Sequence, residues 1–414
     1  MCNAELSGVS VTKKRVDNPQ RLARASLPPL PMQKRPTDRR LEIAGIRLPG
    51  RDRPASLHIR DGHIAAIADS EPADSDWLCL PGFFEPHTHA NRAYTLQGQA
   101  PRDFDHAVEM ALALFADYTA GQYEANARSL FETALEHGSL RLRTHADIAP
   151  DTGLAAIQGT LAARQAMAGR QDIEIVAFAA GHLDPGGTAG RDLLRSAIEA
   201  GADLLGAVPA MSDDPAATMR AVFGLAEALD VGIDLHLDEH LDAGALYSDL
   251  AADLSVQHGL QGRVALSHVC NLSQLPDDRR RAVAQKLATA GITVITLPGT
   301  NLYLQDRGAS TPRQRGVTIV QELASAGVPV LIGSDNVQDA FLPFGNADPL
   351  EAAYLGALAA QVNSTDALIA GICGGQARIS EGDRADLVLL PVASVEQAIA
   401  ERPPRHIMKA GEPI

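Results

Sequence analysis

Residues 79–89 read CLPGFFEPHTH, a short apolar run that ends in two histidines separated by one residue. In an extended strand the side chains of residues i and i+2 point to the same face, so His87 and His89 can reach one ion. An HxH pair alone is a weak motif. It becomes informative because similar apolar runs, several of them followed by ligand-type residues, recur along the central part of the chain.

Short runs rich in Val, Ile and Leu alternate with amphipathic or alanine-rich stretches. The apolar runs lie at 79–85, 140–147, 173–179, 203–208, 232–238, 263–268, 292–297 and 328–335. The stretches of helical character lie at 152–169, 190–200, 215–229, 275–290 and 317–326. Continuously apolar strands that alternate with helices are typical of a parallel sheet covered by helices. Eight such units over about 250 residues predict a closed (β/α)8 barrel.

Alternating runs near the two ends of the chain predict a second, smaller domain. LEIAGIRL (41–48) and SLHIRDGHIAAI (56–67) indicate a β meander, and ADLVLLP (385–391) and HIMKAGEP (406–413) close the chain. We expect these segments to pair as one small β-sandwich. The predicted division is an N-terminal basic, proline-rich extension (1–39), a first part of the β domain (40–80), the barrel (81–374) and a second part of the β domain (375–414).

Composition excludes several classes of function. The 414 residues include 36 basic and 51 acidic side chains, for a formal net charge of −15, and 45% are hydrophobic. Such a chain has enough apolar surface for a large core and repels nucleic acid and anionic membranes. Four scattered cysteines and the lack of a bilayer-length apolar run predict a soluble, cytoplasmic protein that acts on a small molecule.

Ligand-type residues follow four of the eight predicted strands. They are His87 and His89 after the first, His236, Asp238, Glu239 and His240 after the fifth, His268 after the sixth, and Asp335 and Asn336 after the eighth. Singly, a histidine more often satisfies a hydrogen bond, and an aspartate after a strand more often caps a helix. In a parallel barrel, however, the carboxyl ends of the strands converge on one face. The coincidence therefore favours a metal site at the barrel mouth.

The order of these segments resembles the amidohydrolase superfamily, in the branch of cytosine deaminase and N-isopropylammelide isopropylamidohydrolase. The resemblance rests on PGFFEPHTH, RTHAD, IVAF, HLDE, SH and SDNVQDAFLPFGNADPL and covers roughly residues 40–412. It implies one divalent metal ion per subunit, zinc or iron with manganese as a further candidate, bound by His87, His89, His236 and Asp335. It also implies that His268 contacts the substrate or the hydrolytic water, that Glu239 shuttles protons, and that the chain self-associates.

The lysines bear on the number of metal ions. Members of the superfamily with two metals usually bridge them with a carboxylated lysine after strand four, where this chain reads GAVPAMSDDP (206–215). Its five lysines lie elsewhere, at Lys13, Lys14, Lys34, Lys286 and Lys409. A single metal is therefore expected.

The predicted activity is hydrolysis of a C–N bond in a small nitrogen heterocycle, with release of ammonia or an alkylamine. Asp335 would take a proton from water, and Glu239 would protonate the ring and the leaving nitrogen. Two alternatives remain, hydrolysis of a cyclic amide at the same metal and a metal-binding barrel without turnover. The proton-shuttle glutamate argues against the latter, because binding alone does not need one.

Residues near the predicted strand ends bear on the choice of substrate. Ala180 stands where cytosine deaminase has a glutamine, and Asn336 where it has an aspartate, so cytosine itself is a doubtful substrate. Asn336 and PFGN (343–346) match the isopropylammelide enzyme, which lacks the glutamate at 239. The candidate contacts are Asn336, Ala180, Arg92 and Phe341, with Asn91, His182, Met211, Asn301 and Tyr303 as further pocket residues and His145 and Asp147 as supporting ones.

Overall fold

The computed structural model of the protein describes residues 27, 30–34, 40–96, 101–180, 183–306 and 316–414. Most of the predicted extension, residues 1–39, and the candidate pocket residue His182 lie outside the described residues. Met32–Lys34 forms β1 and pairs antiparallel with β2, Arg40–Ile46. The first sheet of the small domain therefore includes residues assigned from the sequence to the extension.

Eight parallel strands form the nearly closed barrel predicted from the apolar runs. The strands are β6 (Phe83–Thr88), β7 (Ser139–Ile148), β8 (Asp172–Ala179), β9 (Leu204–Ala207), β10 (Gly232–Leu237), β11 (Val264–His268), β12 (Thr293–Thr296) and β13 (Val330–Ile332). They are hydrogen-bonded in chain order from β6 to β13. An isolated parallel bridge between Thr88 and Asp335 joins the last strand to the first. The predicted (β/α)8 fold is confirmed.

The first predicted run, 79–85, spans two strands of two different sheets. Leu78–Pro81 forms β5 of the small domain, and β6 of the barrel begins at Phe83. Gly82 separates them and donates its N–H to the Asp386 carbonyl at 2.7 Å. A Cβ added at Gly82 would lie 2.7 Å from Leu140 Cδ1, so a larger residue would have to displace the Leu140 side chain where the chain crosses between the sheets.

Helices cover the barrel between successive strands and extend beyond it. They are α1 (Phe104–Phe115), α2 (Ala120–Glu136), α3 (Ala155–Ala166), α4 (Thr188–Ala200), α5 (Pro215–Leu229), α6 (Ser248–Gln257), α7 (Asp277–Thr289), α8 (Pro298–Leu304), α9 (Val320–Ser325), α10 (Pro349–Ala359), α11 (Thr365–Ile372) and α12 (Val395–Glu401). The sequence indicated α3, α4, α5, α7 and α9 and missed the others. In the described part of the chain, no helix has both the length and the apolar character needed to cross a bilayer.

The small domain consists of two four-stranded sheets that share an apolar core. The first sheet contains β1, β2, β3 (Ala55–Arg60) and β4 (His63–Asp69), and the second contains β5, β14 (Leu387–Leu390), β15 (His406–Lys409) and β16 (Glu412–Pro413). Leu57 of the first sheet and Leu389 of the second belong to the same buried cluster. The predicted pairing of the two ends of the chain in one sandwich is therefore confirmed, through β5 against β14.

A buried ion pair fastens the C-terminal segment to the barrel helices. Arg405, just before β15, donates to both carboxylate oxygens of Asp348 at 2.8 and 3.0 Å. Asp348 in turn caps α10 through the Leu350 N–H at 3.0 Å. The two side chains are only 3% and 7% exposed, so removal of one partner leaves the other charge buried without compensation.

Replacing Arg405 by Met is expected to lower the free energy of unfolding by about 3 kcal/mol, because Asp348 loses its partner in a buried position. Denaturant unfolding measures this loss. Arg263→Met is the matched control, since Arg263 pairs with Asp230, whose side chain is 92% exposed. Such a surface pair contributes about 1 kcal/mol or less. Equal losses of unfolding free energy in the two variants would contradict a stabilising role for the buried pair of Arg405 and Asp348.

Candidate metal centre and active site

The four side chains predicted to bind a metal lie together at the carboxyl ends of the barrel strands. His87 and His89 come from the end of β6, His236 lies in β10, and Asp335 follows β13. Nε2 of His87 and Nε2 of His89 are 3.6 and 3.5 Å from Oδ1 of Asp335. The Nε2 atoms of His89 and His236 are 3.0 Å apart. All four residues are buried.

Left-handed backbone at three strand ends turns the chain where the site residues lie. The φ angle is +55° at Asp238, +72° at His268 and +66° at Asp335. Such angles are disfavoured for residues with a side chain and cost of order 1–3 kcal/mol each, so they persist only where surrounding contacts hold them. Here the Asp335 N–H donates to the His87 carbonyl at 3.0 Å, and the Asp238 carbonyl accepts from the Cys270 N–H at 2.9 Å.

A hydrogen-bonded chain behind His87 determines which of its ring nitrogens is free. Ser267 Oγ donates to Asp234 Oδ1 at 2.9 Å, so this hydroxyl oxygen accepts from Nδ1 of His87 at 2.8 Å. His87 therefore carries its proton on Nδ1 and presents the lone pair of Nε2 to the site. Arg143 donates to Asp234 Oδ2 at 2.9 Å. Burial raises the pKa of Asp234, but His145 and Arg143 hold it below its ordinary value.

The hydrogen bonds that join His87, Ser267 and Asp234 were not predicted, although the sequence contains signals for them. Asp234 precedes His236 by two residues in the same strand, so the two side chains leave the same face of the sheet. Ser267 directly precedes His268. Only the pairing of β10 with β11, which sets His236 beside Ser267, brings these residues together.

The donor atoms fit a divalent cation. Nε2 of His87 and both carboxylate oxygens of Asp335 are buried and lack a hydrogen-bond partner among the described residues. Burial, reinforced by the neighbouring imidazoles, lowers the pKa of His87 and His236 well below the ordinary value, so both rings are neutral and able to bind a metal. Burial, with Asp339 adding to it, raises the pKa of Asp335 to about 8. A cation would supply the positive charge that favours the ionised carboxylate.

His145 joins this cluster, a closer position than the supporting one expected from the sequence. Its ring centroid lies 4.2 Å from that of His87, and its ligand atom groups with those of His87 and His89 within 4.8 Å. A second group of the same spread contains His87, His236 and His268. His145 Nε2 lies 3.5 Å from Asp234 Oδ1. The strand ends thus hold five histidines in contact with one another.

Glu239 and His268 lie beside each other at the edge of the cluster. Glu239 Oε1 is 3.4 Å from Nδ1 of His268, and the Asn301 amide nitrogen is 3.0 Å from the same ring atom. Burial and the nearby Asp335 carboxylate raise the pKa of Glu239 well above its ordinary value. Burial, with His145 adding to it, lowers the pKa of His268 to about 3. The pKa shifts thus favour the protonated form of the Glu239 carboxyl and the neutral form of the His268 imidazole, before any metal is considered.

A cavity of about 220 Å³ opens over these residues. Its lining includes His89, His236, Glu239, His268 and Asp335 on one side and apolar side chains of α1 on another. The four candidate substrate contacts all line it, namely Asn336, Ala180, Arg92 and Phe341. Met211 does so as well. Asp147, expected to support the site, also lines the cavity.

Two of the candidate contacts are already held by neighbouring side chains. Asn336 Nδ2 donates to Asp339 Oδ2 at 2.7 Å. The Arg92 guanidinium contacts Nδ1 of His89, lies 3.4 Å from Asp147 Oδ2 and sits 5.0 Å over the Phe341 ring. Arg92 therefore connects the metal ligands to the aromatic wall of the cavity.

Three further candidates have structural contacts. Asn301 supports His268, as described above. His240 Nδ1 accepts from the Asp242 N–H at 3.2 Å, so it contributes to the loop after β10. Asn91 Nδ2 donates to Asp147 at 3.0 Å. Among lysines whose side chains the structure describes, Lys286 binds Asp253 and Lys409 binds Asp172, and neither lines the cavity.

The barrel and the gathered histidines and carboxylates define the class of this protein, a metal-dependent barrel hydrolase. The amidohydrolase family model matches residues 180–414. The chain belongs to the amidohydrolase family, as its resemblance to the superfamily predicted.

Relatives of defined activity cover most of the chain. A pterin deaminase of Rhizobium rhizogenes is 30% identical over 72% of this chain and 70% of its own length. The N-isopropylammelide isopropyl amidohydrolase of a Pseudomonas species is 27% identical over 79% of this chain and 83% of its own length. Among solved structures, 5-methylcytosine deaminase of Klebsiella pneumoniae superposes with a TM-score of 0.83 at 25% identity, covering 90% of this chain and 97% of that one.

Replacing Ser267 by Ala is expected to weaken binding of zinc by about 10- to 100-fold, because His87 loses the acceptor that orients its ring and fixes its proton. Competition with a chromogenic chelator measures the affinity. Ser255→Ala is the matched control, since Ser255 is equally buried but donates to the Ala290 carbonyl at 3.2 Å, away from the cluster. Unchanged zinc affinity in Ser267→Ala would show that the hydrogen bond between His87 and Ser267 does not support metal binding.

In metal-free protein, Asp335→Asn is expected to remove a pH-dependent contribution to stability. Its folded pKa of about 8 lies above the ordinary 3.8, so the native state holds a proton that the unfolded chain releases between these values. This contribution is full below the ordinary pKa and is lost as the pH rises through about 8. Thermal denaturation in chelator should show the wild type losing stability with rising pH more steeply than the variant. Parallel curves would contradict the raised pKa.

Proposed function

We propose that the protein is a mononuclear metal-dependent aminohydrolase, similar in mechanism to cytosine deaminase, that replaces an amino or alkylamino group on a small nitrogen heterocycle by oxygen. His87, His89, His236 and Asp335 would hold the single ion. The observation that carries the proposal is the position of Glu239, whose carboxylate oxygen lies 3.4 Å from His268 Nδ1 at the edge of the ligand cluster and whose raised pKa favours the protonated form. A site that only bound metal would have no use for a proton donor in this position.

A divalent cation bound by this set supplies the Lewis acidity that makes water nucleophilic near neutral pH. The protein moves the protons. As water oxygen bonds to the ring carbon, Asp335 accepts a water proton and Glu239 donates its own to the adjacent ring nitrogen. The C–N bond then breaks as Glu239 takes the proton of the new hydroxyl and passes it to the leaving nitrogen, so the ring carbon keeps the oxygen as a carbonyl. The proton held by Asp335 restores Glu239 for the next turnover. His268, which contacts the Asn301 amide, would hydrogen-bond the oxygen on the reacting carbon.

The names of the relatives support this substrate class. Pterin, N-isopropylammelide and 5-methylcytosine are nitrogen heterocycles from which an amino or alkylamino group can leave. The absence of a lysine at the exit of strand four supports one ion rather than two. Ala180, which lines the cavity, offers no side-chain hydrogen bond to a pyrimidine edge, so cytosine is expected to be a poor substrate. A cytoplasmic location, self-association and the lack of nucleic-acid and membrane partners stay predictions.

A screen of ammonia and alkylamine release tests the activity. Protein loaded separately with zinc, iron(II) or manganese would be assayed with aminopyrimidines, aminotriazines, pterins and creatinine-like rings. Release of ammonia or amine with retention of the ring supports the proposal. Ring-opened product without amine would favour cyclic-amide hydrolysis instead. No turnover of any ring by fully loaded protein would overturn the proposal and favour a binding protein.

Glu239→Gln is expected to bind metal normally and to lower kcat by about 100-fold or more, since the amide cannot transfer the proton. His236→Ala is expected to lose the metal itself. Metal content and kcat distinguish the two effects. Glu132→Gln, at a half-exposed position on α2, is the matched control and should leave both unchanged. Near-normal turnover in Glu239→Gln would remove this residue from the mechanism.

A further inference from the structure

One wall of the active-site cavity is an apolar helix face. Phe104, Val108, Ala111, Leu112 and Phe115 of α1 line the cavity, at spacings that place them on one side of the helix. Phe115 and Ala111 are buried and pack with Phe341 and Leu304 in a small core of their own. The barrel side contributes Ala180, Val208 and Met211. Apolar side chains therefore form this part of the cavity lining, while Asp151 and Thr152 are among its polar residues elsewhere.

The apolar wall lies on the far side of Arg92 from the ligand cluster. The Arg92 guanidinium contacts His89 at one end and sits 5.0 Å over the Phe341 ring. Phe341 meets Phe104 of α1 edge to face, with ring centroids 6.0 Å apart. A ring whose reacting carbon lies at the ligand cluster would therefore have its opposite edge directed towards α1.

Two side chains of this wall are exposed to an extent unusual for their type. Leu112 is 41% exposed and Met211 is 37% exposed, although large apolar side chains in the described part of the chain are mostly buried. The two come from different elements, α1 and the turn after β9, and face the same cavity. Apolar surface gathered in a concave site is what binds an apolar group of a ligand.

We propose that the substrate carries an apolar substituent, alkyl or aryl, on the ring edge away from the leaving nitrogen, and that α1 and Met211 bind it. The proposal rests on the proposed function and specifies its substrate. A propyl group on the ring would be buried against Leu112 and Met211. The protein would therefore bind the substituted ring more tightly than the bare ring, because each buried methylene adds to the binding free energy. Discrimination of this kind amounts to about 10-fold or more in kcat/KM.

The experiment compares matched pairs of rings that differ only in this group. Isocytosine with 6-propylisocytosine, and pterin with 6-propylpterin, would be assayed with the metal-loaded protein. We expect kcat/KM to be at least about 10-fold higher for the propyl compound of the better-turned-over pair, mainly through KM. Leu112→Asn should reduce this preference to about 3-fold or less, because it puts an amide of similar size against the propyl group.

Two further variants keep the test specific. Met211→Gln probes the same wall from the barrel side and should also reduce the preference. Leu358→Asn is the control, since Leu358 on α10 is 62% exposed and does not line this cavity. The preference should be unchanged there. Equal kcat/KM for bare and substituted rings in the wild type, or a preference untouched by both wall variants, would overturn the proposal.

Binding measurements separate this inference from the proposed activity. If no ring releases amine, the activity fails, but calorimetry on metal-loaded Glu239→Gln protein still compares the affinities of each pair. Tighter binding of the propyl compound, lost on adding Leu112→Asn, would support the apolar subsite by itself. Equal affinities, or no binding of any of the four compounds, would refute it.

Discussion

The hydrogen bond from the Asp335 N–H to the His87 carbonyl, 3.0 Å long, links the last strand of the barrel to the first. It joins positions that are far apart in sequence and places a carboxylate beside Nε2 of His87 and His89. Pairing of β10 with β11 does the same for His236 and His268. Because parallel strands all end on one face, closure of the sheet is sufficient to gather these groups. The candidate metal centre follows from how the sheet closes.

Such a gathering is unfavourable unless something compensates it. Burial pushes the imidazoles towards their neutral form and the carboxyls of Asp335 and Glu239 towards their protonated form. Behind His87, by contrast, His145 and Arg143 hold the pKa of Asp234 below its ordinary value. A cation would reverse the balance for Asp335 and leave Glu239, at the edge, as the proton donor. Under the proposed function, differences in local environment would let one site provide a carboxylate for the metal and a carboxylic acid for catalysis.

Under the two proposals, different parts of the cavity carry out the reaction and bind the substrate. Its ligand-cluster side consists of imidazoles and carboxylates at strand ends, where the backbone is held in place by the barrel. Its other side is α1, which packs through a small separate core with Phe341 and Leu304. Barrel enzymes of this kind can therefore change substrate by altering helices and loops while the strand ends remain the same. In this protein, Leu112 and Met211 are the residues that we expect to determine substrate preference.

Periodicity and spacing predicted the eight strands, the sandwich at the ends and a group of ligand-type residues at four strand ends, because these depend on short segments of sequence. The choice of His87, His89, His236 and Asp335 as the ligands came from the resemblance to the amidohydrolase superfamily. What the tertiary structure decided depends on neighbours that are remote in sequence. Gly82 divides one apolar run between two sheets because Asp386 and Leu140 lie against it. Ser267 contacts His87 only because the strands of the barrel bring the two residues together. Helix α1 lines the cavity only because the chain after β6 folds beside the strand ends.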